Sequence, residues 1–544
     1  MPKTARHRGR LAMGAAVALA ALLASCTGTP THNTGGSPTT VGGDTTGEKI
    51  ESLEWSLGAA ADSLDIARSF TSSTGVLSSL GYDTLVILDH DLQVSPWIAT
   101  MTEVSPTEYT FELADDVTFW DGTPLTAQDV VWSYTRHFDA DLKSIAGSIL
   151  STVDTVEAVD DEAVRITLTR PDPTFKYSAA IIQIFNKAQG EETGDAFGSP
   201  DAIPLGTGQY VLTDYTTGGG ITGTLNENYW GEAPAVQKIH VSIVENAETA
   251  RIAIQQGESN GRFDVPNGQL SQWSETPGVR TGTASGLNPL MLRIPITEAP
   301  FDDLNVRKAL AYAIDREGVV KSLYGGAAEV ATSLATRGHW RGVMENDEAD
   351  EFFAVLPNYS FDLEAAAEAL AASSVPDGFS ADIVVAAGNS GTMKTASAIA
   401  ASAAEIGITL NVKQVPLNEL AGDYLLAPGN KKALVVSSTA PTYPDPTDMM
   451  LPFLEDDPAI GYLNASGFSD PEAQELLDAQ SSASGAERLE MLKRIAVIAQ
   501  EDLPLVPIAW VDATVGLSEN LRFNNFDAFS YYRPWVQDIG VAAE

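Results

Sequence analysis

Cysteine is almost absent: the 544 residues contain one, Cys26. A body without a second thiol has no internal disulfide, no thiolate metal site and no cysteine nucleophile. Basic residues are scarce as well, 32 Lys and Arg against 73 Asp and Glu, giving a formal charge of −41. Lys3, Arg6, Arg8 and Arg10 sit together at the N-terminus, so the rest of the chain is more acidic still. Phosphate backbones demand concentrated positive charge, which excludes a nucleic-acid partner from the expectations. Histidine is thinly spread, with His90, His137, His240 and His339 far apart and His7 and His32 ahead of the body, so no local metal-binding spacing exists. Gly388-Asn-Ser-Gly391 has no glycine two places after Ser390 and is not a nucleophile elbow. Carboxylates are so abundant that an adjacent pair such as Asp115 and Asp116 says little about hydrolysis. Nothing in the residue pattern argues for an enzyme.

Long apolar runs are missing too. The longest, Leu11 to Ser25, has 15 residues, too few to span a bilayer comfortably. It follows the basic stretch MPKTARHRGR and ends directly before Cys26, and Leu23-Ala24-Ser25-Cys26 resembles a bacterial lipobox. The resemblance implies that residues 1–25 are a lipoprotein signal peptide and that Cys26 becomes a diacylated N-terminus. Two acyl chains suffice for stable anchoring, where a single chain would be marginal. Residues 26–48, nearly all Thr, Gly, Ser and Pro at first, read as a flexible tether. The expected location is extracytoplasmic, on the outer face of the cytoplasmic membrane.

The remaining chain is rich enough for large cores, at 44% hydrophobic and 19% charged residues, and long enough for two or three packed units. Tyr109–Leu113, Val164–Leu168, Lys238–Val244 and Ile408–Val412 alternate with period 2 and predict strands. Thr126 with Asp129, and Asp470-Pro471-Glu472, are helix starts; Glu487 to Gln500 carries an apolar stripe. A further helix is expected between Phe301 and Leu323, with Gly318 loosening its second half. This is an α/β pattern of several lobes.

Four segments carry a family resemblance. Phe119-Trp-Asp-Gly-Thr-Pro-Leu-Thr-Ala-Gln-Asp-Val-Val-Trp-Ser-Tyr-Thr-Arg136, Pro204-Leu-Gly-Thr-Gly-Gln-Tyr210, Asn226-Glu-Asn-Tyr-Trp-Gly231 and Phe301-Asp-Asp-Leu-Asn-Val-Arg-Lys-Ala-Leu-Ala-Tyr-Ala-Ile-Asp-Arg-Glu317 resemble, in order, motifs of the family 5 extracytoplasmic solute-binding proteins of peptide, nickel and oligosaccharide ABC importers. The second departs at Gln209, where the family has proline. The resemblance implies a type II periplasmic-binding-protein-like fold: two lobes joined by a hinge, with an extra subdomain in the first. Residues 49–75, 200–292 and 508–544 would form the main first lobe, 76–199 its subdomain and 293–507 the second lobe. Crossover strands would lie near Leu290–Ile294 and Leu505–Ile508.

In such a protein the lobes close on a small polar solute, an oligopeptide, modified peptide or oligosaccharide. The closed form is then presented to permease subunits driven by cytoplasmic ATPases. No cofactor and no catalysis are implied, and a monomer is expected. The implied cleft residues are Trp510 after the second crossover, the loop Thr439 to Pro446 with Thr442, Tyr443 and Asp445, and Asn267 and Asn288. Peptide-binding members place Asp where this chain has Thr442, and a hydroxyl is a weak substitute for a carboxylate facing an α-ammonium. The competing classes are a secreted lipid-anchored hydrolase, such as a carbohydrate-active enzyme, and an oligosaccharide-specific binding or sensor protein.

Overall fold

The period-2 segments are strands, and their alternation assigns each a wet and a dry face. Glu108–Leu113 buries Tyr109, Phe111 and Leu113 and pairs antiparallel with Ala163–Leu168, which buries Val164, Ile166 and Leu168. With Ala99–Ser105 and Val153–Ala158 they make a four-stranded antiparallel sheet. Helix Ala127–Thr135 covers its apolar face with Ala127, Val130 and Tyr134. The Asp129 carboxylate starts that helix, accepting the Thr126 N–H at 3.0 Å and the Thr126 hydroxyl at 2.7 Å.

The computed structural model describes residues 41–426 and 432–543, all within the unit 37–544. Among them the largest sheet has 11 strands. In chain order these are β1 (Leu53–Leu57), β2 (Tyr210–Thr216), β3 (Gly220–Leu225), β4 (Lys238–Ile243), β5 (Gly261–Phe263), β6 (Val279–Arg293), β7 (Ala328–Val330), β8 (Phe379–Ala386), β9 (Ile408–Val415), β10 (Leu434–Ser438) and β11 (Leu505–Ser518). The spatial order is β9-β8-β10-β6-β11-β5-β1-β4-β3-β2, with β7 also on β11. β1 is parallel to β4 and β5, and β8 is parallel to β9 and β10. The central pair β6 and β11 is antiparallel from Val279 opposite Ser518 to Arg293 opposite Leu505. Its 15-residue and 14-residue strands run through both halves of the sheet. The expected crossovers at Leu290 to Ile294 and Leu505 to Ile508 lie at one end of this pair.

The pairing slips between Ala284 and Asn288, where β6 bulges opposite Asp512. Gly286 sits in the bulge because a Cβ there would lie 1.6 Å from the Val511 carbonyl oxygen. On either side of the pair the cores separate. Leu53, Trp55, Tyr210, Ile239, Phe263 and Trp535 pack on one side, whereas Leu290, Val306, Leu310, Ile383, Ile399 and Val436 pack on the other. These are the two lobes, and the four-stranded sheet forms its own core beside the first.

Two expectations are corrected. The segment from Phe301 to Leu323 is not one helix but two, Leu304–Tyr312 and Arg316–Leu323, because Asp315 leaves the helix and its carboxylate accepts the Gly318 N–H at 2.8 Å as an N-cap. The tether ends earlier than residue 48: Val41 is fully buried, its carbonyl accepts the Phe523 N–H, and Thr45 bridges to Ala542. An apolar side chain in a polar stretch supplies the docking point. Cys26 and the leader lie outside the described residues.

Candidate functional site

The shared motifs hold the scaffold. Asp83 is buried and accepts three hydrogen bonds, from Trp97 Nε1 at 2.8 Å, Thr207 Oγ1 at 2.8 Å and Trp230 Nε1 at 3.2 Å. Thr207 and Trp230 come from two separate motifs. Burial still raises the Asp83 pKa against those donors. Arg136 closes the first motif with two 2.7 Å bonds to Asp65, its guanidinium over Trp132 and Phe197. Arg307 of the fourth motif donates to the Asp502 and Phe301 carbonyls at 2.7 and 2.9 Å. These polar groups fix loops across the fold and are used up in doing so.

The loop 439–446 brings the second lobe against the subdomain. Its Tyr443 stacks on Tyr177, ring centroids 5.7 Å apart and planes within 2°. The Thr442 N–H donates to Asp448 Oδ2 at 2.9 Å, and His339 Nε2 lies 3.3 Å from the same oxygen. Asp445 is committed inside the protein. Both its oxygens meet Arg488, at 2.8 and 2.9 Å, and its Oδ1 also accepts the Thr447 N–H and hydroxyl at 3.0 and 2.6 Å. Burial alone would push its carboxyl up, but the guanidinium outweighs burial and holds it below the usual range. Asp445 forms part of the wall of a 470 Å3 cavity with Glu103, Tyr109, Lys176, Ser484 and Arg488, its charge already matched by the buried guanidinium. Burial lowers the Lys176 pKa there.

Asn267 and Asn288 do come together. They line a second cavity, of 350 Å3, with Tyr324, Asn389, Thr392 and Ser438, between the loop after β5 and the second lobe. The Asn267 amide donates to the Ala327 carbonyl at 3.0 Å and the Asp512 carbonyl at 3.4 Å, tying that loop to β7 and β11. Trp510 does not face either cavity. It is 3% exposed, donates its indole N–H to the Ser333 carbonyl at 3.0 Å and packs 5.2 Å from Phe353. Strand alternation explains this: Val511 lines the cavity and its neighbour points to the opposite side.

Three further residues, one after β5, one on β11 and one in the C-terminal segment, carry no signal in the sequence. Asp512, on β11 beside the bulge, accepts the Gly286 N–H at 3.3 Å, and burial, with the nearby Glu329 charge, pushes its pKa to about 7. Asp264 follows β5 with φ of 59°, a backbone conformation rare outside glycine. Its amide donates to the Thr514 carbonyl at 3.0 Å, so it stands at the end of β5 next to the crossover pair. Tyr531 is half-buried, 5.3 Å from Tyr532, and its pKa is raised by burial, then by Tyr532 and by the Asp264 charge. No periodicity marks any of the three. Among the described residues no group of three or more His, Cys, Asp or Glu is placed to hold a metal ion, and no helix is long and apolar enough to cross a membrane.

A two-lobed sheet crossed by one strand pair, with polar cavities where the lobes meet, is the architecture of a binding protein. The profile of the bacterial extracellular solute-binding proteins, family 5 (middle), matches residues 93–460, and the chain belongs to this family. It is 29% identical over 475 residues to the heme-binding protein A of Haemophilus influenzae, covering 80% of this chain and 83% of that one. It is 28% identical over 317 residues to the dipeptide-binding protein of Escherichia coli, 54% of this chain and 57% of that one. The structure of the ABC transporter substrate-binding protein CtaP of Listeria monocytogenes superimposes with a TM-score of 0.80 at 20% identity, covering 91% of this chain and 100% of that one. The fold is thus type II periplasmic-binding-protein-like, and membership of the family makes the chain a solute-binding protein.

Proposed function

We propose that this chain is the lipid-anchored substrate-binding subunit of an ABC importer. A small polar solute, oligopeptide-like in the first instance, is captured between the lobes and passed to permease subunits served by cytoplasmic ATPases. The observation that carries the reading is the contact of Tyr443 with Tyr177: a loop of one lobe stacks face to face on the subdomain of the other, while among the described residues only β6 and β11 run through both. Such a pair of strands is a hinge that a ligand biases through its differential affinity for the closed form. In this reading the lobes are 49–75 with 200–292 and 508–544, the subdomain 76–199, and the second lobe 293–507. Thr442, Tyr443, Asn267 and Asn288 reach the solute, whereas Trp510 and Asp445 support them from behind. The relatives' named cargoes, heme and dipeptides, differ enough that family membership alone selects none of them.

Small-angle scattering tests closure. Protein stripped of co-purified solute by unfolding and refolding should have a larger radius of gyration than the same protein with its solute restored. An unchanged radius at saturation would refute closure. For the anchor, Cys26→Ala should shift the protein from the membrane fraction to the medium or stall it as a precursor. Normal processing with membrane retention would show that Cys26 is not the lipidation site.

A further inference from the structure

The segment 336–342, which follows β7, touches both the central strand pair and the loop 439–446. Leu287 lies inside the slip of β6 between Ala284 and Asn288, and Gly338 packs on it so closely that a Cβ would sit 2.8 Å from a Leu287 methyl carbon. Gly342 lies against the loop, where a Cβ would meet the Pro444 carbonyl oxygen at 2.1 Å and the Tyr177 hydroxyl at 3.0 Å. Close approach of backbone is what glycine permits, and the segment uses it at both ends. Between the two glycines stands His339, fully buried on the short helix Arg337–Trp340.

The two ring nitrogens of His339 face different partners. The Thr336 N–H donates to Nδ1 at 3.1 Å, and the Thr336 hydroxyl is 2.9 Å from the same atom. Returning to the N-cap in this way is a capping box, and it accounts for Nδ1 alone. A nitrogen that accepts an N–H carries no proton, so in the neutral ring the proton is on Nε2. Nε2 lies 3.3 Å from Asp448 Oδ2, and that oxygen also accepts the Thr442 N–H at 2.9 Å. Asp448 is 5% exposed, and among the described residues no Lys or Arg pairs with it. A buried carboxylate held by so few donors is sensitive to the loss of either one. Thr442 directly precedes Tyr443, so the bond to Asp448 fixes the backbone beside the ring that stacks on Tyr177.

We propose that His339 is a positioning residue for solute capture: its Nε2–H holds Asp448, Asp448 holds the Thr442 backbone, and the segment around it ties that loop to the slip in β6. This rests on the cleft reading and adds a coupling to it. Movement at the slip is passed from Leu287 to Gly338 and, through His339, to the loop that meets Tyr177. The coupling is carried by packed and hydrogen-bonded neighbours from one end to the other.

Hydrogen exchange of the full chain, read residue by residue, separates the two nitrogens. His339→Asn places a carbonyl oxygen near the Nδ1 position, which keeps an acceptor for Thr336 and removes the donor to Asp448. The Thr442 amide should then exchange about ten-fold faster, with the Thr336 amide unchanged. His339→Gln places an amide N–H near the Nε2 position and should keep Thr442 within about three-fold of wild type while loosening Thr336. A side chain that only fills space would give the same response at Thr442 in both variants, and that result, or no response in either, would overturn the proposal. The imidazole nitrogen chemical shifts of wild type do not depend on how well the variants fold. They should show a protonated Nε2 and a bare Nδ1, and the reverse would overturn the proposal as well. Scattering tests the coupling, with the extract released from denatured wild-type protein as the probe. Stripped wild type should compact on adding the extract, and His339→Asn should compact less at the same concentration. Equal compaction would overturn the coupling while leaving the cleft reading intact, whereas no compaction in wild type would take the cleft reading and the proposal down together.

Discussion

Asp445, on the loop before helix Thr447–Leu454, and Asp264, just after β5, are both acids, and one is spent while the other has no hydrogen-bonded partner for its carboxylate among the described residues. Asp445 is 2% exposed, takes four hydrogen bonds and neutralises Arg488. Asp264 is exposed, and Arg262, two residues away, is the charge that acts on it. A carboxylate is a binding group only when the fold leaves its lone pairs unpaired, so proximity to the cleft is a poor guide to which acid meets the ligand. The neighbouring Asp512 is intermediate, holding one backbone N–H while burial resists its charge.

The sharpest way to break this contrast is Asp445→Asn. It leaves a buried guanidinium without its counter-ion and should cost about 3–5 kcal/mol of stability in urea denaturation. The folded pKa of Asp445 is depressed, so its contribution is present above the unfolded carboxylate pKa and is lost as pH falls. A loss under about 1 kcal/mol would mean that the Arg488 pair is not holding the loop.

Asp512 has the opposite sign. Its folded pKa is raised to about 7, so the folded state keeps a proton that the unfolded state gives up, and stability declines as pH climbs from the unfolded value towards neutrality. Asp512→Asn should therefore stabilise the protein by about 2 kcal/mol near pH 8, after allowance for partial solvent screening. The gain should shrink towards pH 4 and vanish near pH 3, where both states hold the proton. Melting curves across that range check the sign, and a gain independent of pH would rule out the titration. The smallest effect belongs to Asp264→Asn, which loses no internal partner and, because burial raises this carboxyl's pKa, should shift stability only upward, by no more than about 0.5 kcal/mol near neutral pH. A large loss would place Asp264 with Asp445 as a structural acid.

Much of the fold was legible because it rests on local chemistry. Tyr109, Phe111 and Leu113 alternate because one face of their strand is dry, and Asp470 caps Pro471–Gln480 through the Ala473 N–H at 2.9 Å, as its sequence context implies. The break at Asp315 was missed because Ala313 and Ile314 continue the helical stripe and only the cap geometry stops it. The site was less legible. Asn267, in the helical turn after β5, and Asn288, on β6, line one cavity, but Trp510 reads the same whether its ring turns to a ligand or to Phe353.

The sequence by itself determined the apolar leader with its single cysteine, the strand and helix periodicities, and the motifs whose side chains must find partners wherever they occur. These depend on neighbours within a few positions, and nearby geometry is set by the backbone's own period. Only the tertiary structure decided which acid is free. Arg488 reaches Asp445 across 43 residues of chain, and Tyr531 meets Phe263, 6.4 Å ring to ring, only because the C-terminal segment folds back over β5. A charge's role depends on what desolvates and pairs it, and those groups are brought together by packing rather than by spacing.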